Sequence, residues 1–187
     1  MNILPDSELF YVKHLSEEDD LSLFKVDKPE GYGLEHYLKE FALKEELSNN
    51  ARTYLVKEKI SDELVAYFTL KSGLITNKTS LLAFDNLTAM EIANFAVNDN
   101  YRRYKDVMPH IGRYVFSQFI MPIAKEAQSL IGIEYIYIFA LPRKKLIEHY
   151  NSMGFERVSS LSLEKYIHRH IKPTYDRGCY FMYLRLE

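Results

Sequence analysis

Met90-Glu91-Ile92-Ala93-Asn94-Phe95-Ala96-Val97, then NDNYRRYKDVMPH (98–110), then Ile111-Gly112-Arg113-Tyr114-Val115-Phe116, is the stretch on which the fold turns. It reads as a strand, a basic loop and the start of a long apolar helix. In the strand, Glu91, Ala93, Phe95 and Val97 share one face, and Ile92, Asn94 and Ala96 share the other. A helix start leaves backbone N–H groups without intrahelical partners, which makes it an anion site. Arg102, Arg103, Lys105, His110 and Arg113 surround that start with positive charge. Solvated basic loops that only join two core elements look the same, so the stretch alone marks either an anion site or a connector.

Downstream, Ile111, Val115, Phe119, Ile123, Ala127 and Leu130 recur at helical spacing, widened by Phe116, Ile120 and Ala124. They predict a helix over 112–130. Pro122 lies inside it, removes one donor and crowds the Gln118 carbonyl, so a kink is expected there. Residues 135–140 (YIYIFA) form a nearly continuous apolar strand, as for a strand covered on both faces. Pro142 suits the first position of a further helix with Leu146, Ile147 and Tyr150 on its inner face and Gly154 as its stop. A strand starts at 155–159. Residues 161–177 read as loop with at most a helical turn, and 179–186 alternate as a last strand.

Upstream, 11–13 is a short first strand. Ser16 with Glu17, Glu18 and Asp19 predicts a helix N-terminus, the helix ending by Phe24. Residues 27–33 hold Pro29, Gly31 and Gly33 and read as a turn region. Leu34, Leu38, Phe41 and Ala42 predict a helix over 34–47, ended by Ser48-Asn49-Asn50. Residues 53–57 and 64–70 form an antiparallel hairpin. Residues 72–88 read as an irregular polar connection with one apolar patch at 81–84. This order predicts a mixed α/β domain with a central sheet covered on both faces.

The chain's 187 residues suit a single domain with a sizeable core, here taken as 1–187. The net charge of −2 gives no overall electrostatic footprint for nucleic acid, though it leaves room for a local basic patch. The one cysteine, Cys179, excludes a disulfide framework and a thiolate metal cluster; within its apolar run it reads as a small buried residue. His168 and His170 lack further ligands at metal-binding spacing and read as surface residues, so no metal is expected. No run is apolar enough to span a bilayer and MNILPDSELF is not a signal peptide, which points to a cytoplasmic protein without a membrane partner.

The strand MEIANFAV, its loop, IGRYVF (111–116), EYIYIFA (134–140) and LIEHYNSMGFERV (146–158) together resemble the GNAT-type N-acetyltransferases. The resemblance covers 53–158. More weakly, LEHYLKEFALKE (34–45) followed by ARTYLV (51–56) is similar to a bacterial branch that includes toxin acetyltransferases of toxin–antitoxin pairs. HYNSMGF (149–155) is similar to the family's FYxxxGF and is the most specific match. The pyrophosphate motif Q/R-x-x-G-x-G/A, aligned on Gly112, reads Val107-Met108-Pro109-His110-Ile111-Gly112 and keeps only the last glycine. The resemblance implies a mostly antiparallel sheet splayed between two middle strands, with helices on both faces. It implies acetyl-CoA as co-substrate, bound by the backbone of Phe95, Ala96 and Val97 and by Arg102, Arg103, His110, Ile111, Gly112 and Arg113.

Transfer of acetyl from a thioester to an amine needs a proton acceptor for the amine, a donor for the oxyanion and a proton for the thiolate. Tyr150 matches the family tyrosine that protonates the thiolate; on residue type alone it would be a helix-packing tyrosine. A phenol suits the role, since its reference pKa of about 10 lies above that of a thiol near 8.5. Glu91 lies where many family members place a general base, and is otherwise a strand-end carboxylate. Arg143, Lys144 and Lys145 open a helix, where cations oppose the macrodipole by a few tenths of a kcal/mol each. An anion such as the nucleotide end of coenzyme A would remove that conflict at Arg143; three solvated cations are the plain alternative.

The resemblance therefore implies an N-acetyltransferase acting on a small-molecule or protein amine. A sharper version acetylates aminoacyl-tRNA and is held by an antitoxin, and a homodimer is compatible with either. A GNAT-fold module that binds coenzyme A or a protein partner without catalysis is the alternative.

Overall fold

Strands form in this chain where aromatic and β-branched residues either alternate with polar ones or run on continuously. The structure, a computed structural model, describes residues 4–78, 84–101, 108, 110–171 and 178–187. The strands are β1 (Phe10–His14), β2 (Arg52–Glu58), β3 (Leu64–Lys78), β4 (Phe84–Val97), β5 (Tyr135–Ala140), β6 (Glu156–Arg157) and β7 (Tyr180–Arg185). Their order in the sheet is β1-β2-β3-β4-β5-β7-β6. β1–β2, β2–β3, β5–β7 and β6–β7 pair antiparallel, and β4–β5 pairs parallel. The mixed, mostly antiparallel sheet expected from the sequence is present. The helices are α1 (Tyr32–Glu40), α2 (Ala42–Leu47), α3 (Ile111–Val115), α4 (Met121–Ile131), α5 (Lys144–Asn151) and α6 (Leu161–Ile171). Contacts divide the chain into two compact units, Met1–Lys71 with Ala93–Ala124, and Ser72–Ile92 with Lys125–Glu187.

In the first unit, Leu15, Phe24, Val26, Leu38, Leu55, Tyr67 and Ala96 form a common core. The helix expected over 34–47 is divided at Phe41, whose φ of −121° breaks the helical run between α1 and α2. The helix expected from Ser16 to Phe24 is replaced by turns. Asp19 accepts hydrogen bonds from the Ser16 N–H (2.9 Å) and hydroxyl (2.8 Å) and pairs with Lys13 (2.8 Å). Such side-chain bonds offer the backbone an alternative to the helix. The extended segment that follows is free to insert Phe24 edge-on against Tyr67, with ring centroids 5.3 Å apart.

Asn98 fastens that segment to the end of β4. Its Oδ1 accepts from the N–H groups of Lys25 (3.0 Å) and Asn100 (3.1 Å), and its Nδ2 donates to the Leu64 carbonyl (2.7 Å). Its own N–H donates to the Val65 carbonyl (2.8 Å), and the residue is only 2% exposed. Asn98→Ala would strip buried backbone groups of their partners, so a loss of about 1–3 kcal/mol is expected in urea unfolding. A loss under about 0.5 kcal/mol, typical of an ordinary surface position, would remove Asn98 as a fastening point.

In the second unit the sequence reading needs four corrections. The segment 72–88 is not an irregular connection: β3 continues to Lys78 and β4 begins at Phe84, while residues 79–83, most of the expected apolar patch, lie outside the described residues. Ile75 is buried while Ser72 and Leu74 face out, so the polar outer face disguised a strand. The stretch expected as loop from 161 forms α6. Leu163 and Ile167, four residues apart, press it onto a cluster with Ile75, Ala89, Tyr137 and Phe181. Buried Glu164 accepts from the Phe181 N–H (3.3 Å) and from Arg157 (3.2 Å), tying the helix to β7 and β6. His168, expected at the surface, is half-buried with its ring edge-on to Phe139 at 5.1 Å; the His170 side chain lies outside the described residues. Finally, α5 starts later than Pro142 suggested: Arg143, with extended φ and ψ, is its N-cap. Cys179 is buried, as its apolar run suggested.

The long helix expected over 112–130 runs from Ile111 to Ile131, with a π-turn at Phe116–Ile120 between α3 and α4. The Met121 N–H bonds to the Phe116 carbonyl, five residues back. Pro122 explains the place: a wide turn just before it relieves the crowding its ring would impose on the Gln118 carbonyl. The extra residue also advances the inner stripe to Phe116, Ile120 and Ala124, all buried, and leaves Leu130 69% exposed instead of inside.

Candidate functional site

Phe95, Ala96 and Val97 end β4 in the first unit, with Ala96 in the core and the other two half-buried. Immediately beyond them Asn98 fixes the strand end. His110 is the N-cap of α3, exposed, with φ −122° and ψ 45°; its carbonyl accepts from the Tyr114 N–H at 3.1 Å and no side chain caps the turn. Ile111 is buried, Gly112 half-buried and Arg113 exposed. Arg113 in the first turn adds positive charge where the helix dipole is already positive, an arrangement that favours an anion. Arg102 and Arg103, with Lys105 and Pro109, lie outside the described residues. Both flanks of that stretch rest on one ring. Tyr101 and Tyr114 stand edge-on to Phe10, with centroids 6.3 and 5.7 Å away.

Tyr150 belongs to the second unit and lies in the last turn of α5. It is 6% exposed and edge-on to Phe155 at 5.7 Å. The local sequence explains this packing. The N–H groups of Met153 (3.0 Å) and Phe155 (3.1 Å) both donate to the Tyr150 carbonyl, and Gly154 has φ +94°, which a side chain would strain. The NSMG turn therefore folds Phe155 back over Tyr150. Burial pushes the phenol well above its ordinary pKa, and the neighbouring Cys179 adds to that. Such a phenol keeps its proton across the neutral range and can donate it.

Glu91 is also buried, at 5% exposure, and Tyr137 donates to its Oε2 at 3.3 Å. Burial, then the charge on Glu91 and this bond, push the Tyr137 phenol strongly upward. Glu91, Tyr137 and Tyr183 form one row across β4, β5 and β7, and Met90, Ile136 and Leu184 form the next row on the opposite face. A Cβ at Gly154 would lie 3.1 Å from Leu184 Cδ1, so the turn ending α5 rests on that opposite face. Tyr150 and Glu91 therefore belong to opposite faces of the second unit's sheet. Arg143 at the α5 N-cap and Lys144 and Lys145 after it are exposed, and Lys144 pairs loosely with Glu148 at 3.9 Å.

Phe10, Gly73, Asn98 and Tyr137 were not marked by the sequence. Their roles arise from contacts between distant strands, which leave no periodic trace. Among the described residues no helix is long and apolar enough to cross a membrane, and no cluster of His, Cys, Asp or Glu could hold a metal ion.

No family model matches the chain, and no curated protein matches it. Solved structures do. A Tyr-to-Phe mutant of the toxin AtaT, bound to the C-terminus of the antitoxin AtaR and acetyl-CoA, superposes with a TM-score of 0.64 at 13% identity, covering 94% of this chain and 92% of AtaT. A Tyr-to-Phe mutant of KacT gives 0.65 at 13% identity and 95% coverage of both chains. AtaT complexed with acetyl-methionyl-tRNAfMet gives 0.62 at 14% identity, covering 92% of this chain and 93% of that one. The chain thus has the GNAT-like fold of AtaT and KacT over nearly their whole length.

Proposed function

We propose that this chain is an N-acetyltransferase that moves the acetyl group of acetyl-CoA to a primary amine. The observation that carries this is the shared fold with AtaT, seen with acetyl-CoA, over more than nine-tenths of both chains. The backbone of Phe95–Val97 pairs with the pantetheine arm as an added strand would, and one of its N–H groups holds the thioester carbonyl. The N–H groups at Ile111–Arg113, with His110, Arg102 and Arg103, meet the pyrophosphate, and Arg143 meets the nucleotide end. Glu91 takes a proton from the acceptor ammonium, directly or through water. As the nitrogen–carbon bond forms and the carbon–sulfur bond breaks, Tyr150 gives its proton to the sulfur, and the second proton shed by the nitrogen, passed on through water, restores the phenol. Two neighbours determined as Tyr-to-Phe mutants support attention to a tyrosine.

The acceptor proposed is the amino group of an aminoacyl-tRNA, with an antitoxin as regulatory partner. AtaT complexed with acetyl-methionyl-tRNAfMet and AtaT bound to AtaR support that reading. The second reading, a non-catalytic module, is favoured by the single glycine left in the phosphate motif, Gly112. The test has two stages. Acetyl-CoA at 100 times its dissociation constant should stabilise the fold by about 2.7 kcal/mol in a thermal-shift titration. Labelled acetyl-CoA is then offered to charged tRNA and to free amines. Label in the aminoacyl end of tRNA establishes the proposed acceptor, and label only in small or protein amines replaces it. Binding without turnover on any amine establishes the non-catalytic module.

A further inference from the structure

Tyr137 is one of the largest side chains to be almost wholly buried, at 2% exposure. Its ring leans on Phe181 at 5.5 Å and stands edge-on to Phe139 at 6.1 Å. From β5 its hydroxyl donates to Glu91 Oε2 on β4, and on β3 Gly73 lies against the same phenol. A Cβ at residue 73 would stand 2.7 Å from Tyr137 Cε1 and would collide with the hydroxyl. The lack of a side chain at Gly73 thus leaves the phenol its path to the carboxylate.

Packing alone does not call for this arrangement. A glycine inside a strand loosens it and contributes no side chain. A buried hydroxyl and a buried carboxylate each cost free energy unless hydrogen-bonded. Phenylalanine at 137 would keep the ring packing without burying a hydroxyl, and its Cε1 would still exclude a Cβ at 73. What the present set adds is a donor aimed at one carboxylate oxygen. That bond fixes the carboxylate's rotamer and holds Oε2 in place.

We propose that Tyr137, admitted by Gly73, is a positioning residue that holds the Glu91 carboxylate for proton abstraction from the acceptor amine. This rests on the acetyltransferase reading with Glu91 as base. Among the described residues, the other titratable or charged groups on this face include Tyr135, Tyr183, Arg185 and Glu156 on the strands and Glu164 and His168 on α6. Glu164 is engaged by Arg157 and the Phe181 N–H, and His168 lies against Phe139.

The test follows the Glu91 carboxyl itself. In protein labelled with carboxyl-¹³C glutamate the Glu91 NMR signal is assigned by its loss in Glu91→Gln. In Tyr137→Phe, which keeps the ring, that signal is expected to move, because Oε2 loses its donor. In the same variant kcat should fall by about tenfold or more, while KM for acetyl-CoA stays put. Gly73→Ala, by displacing the phenol, should do both. An unmoved signal or an unchanged kcat in a folded Tyr137→Phe overturns the inference, whatever Gly73→Ala does to folding. Full turnover in Glu91→Gln overturns the base reading instead, through a separate measurement. A lack of turnover in the wild-type protein on every amine tested overturns the acetyltransferase reading, while the NMR signal still reports on the pair.

Discussion

Tyr150→Phe is expected to lower kcat by about 10²-fold or more, the usual contribution of a general acid. The substitution removes one oxygen and keeps the ring that packs edge-on against Phe155, so folding and acetyl-CoA affinity should be nearly unchanged. Burial, helped by Cys179, holds the phenol far above its ordinary pKa. The wild-type group therefore stays protonated through any practical assay range, and the loss in the variant should be flat with pH instead of growing on one limb. Initial rates with saturating acceptor, alongside calorimetric titration of acetyl-CoA, separate the two quantities. An unchanged kcat would remove Tyr150 from the acid role. A weakened affinity at unchanged kcat would make it a binding residue.

The largest effect on stability is expected at Phe181. It is fully buried on β7, 5.5 Å from the rings of Tyr137 and Phe139 and stacked on Tyr183 at 6.2 Å. A pocket of about 230 Å³ adjoins it, lined also by Ile75, Leu87, Tyr135, Ile167 and Tyr183. Phe181→Ala should lose about 3–5 kcal/mol in urea unfolding, the range for removing a core phenylalanine. The adjoining pocket already holds its walls apart, so relaxation into the new space recovers little. That is a large share of the roughly 5–15 kcal/mol by which native proteins are stable. A loss below about 1.5 kcal/mol would mean that α6 can settle onto the sheet and close the space.

The parts of the fold legible in the sequence are those where one residue pattern has one solution. β5 is apolar throughout and has neighbours on both sides in the sheet. Gly154 stands where a positive φ is needed, and it marked the end of α5 and the packing of Tyr150 together. Where a pattern had two solutions, the sequence misled. Ser16 with the acidic residues after it fits a helix cap and equally a turn closed by Asp19. The polar outer face of β3 beyond Lys71 resembles a loop, and the charged and histidine-rich surface of α6 hid the two apolar residues that seat it. Glu91 and Tyr150 were singled out by motif as candidates, whereas Tyr137 and Gly73 were not. Their relation to Glu91 needs three strands in register, and no single segment contains it.

The π-turn at Phe116–Ile120 gives the long helix two amphipathic phases spliced one residue out of step. Wide turns of this kind can in principle migrate along a helix, each shift exchanging one bond pattern for the next. Pro122 denies that freedom in the C-terminal direction, because a regular turn in front of it would press its ring onto the Gln118 carbonyl. The proline thereby acts as a register lock. It fixes which residues of α4 face inward, although it donates no backbone hydrogen bond of its own.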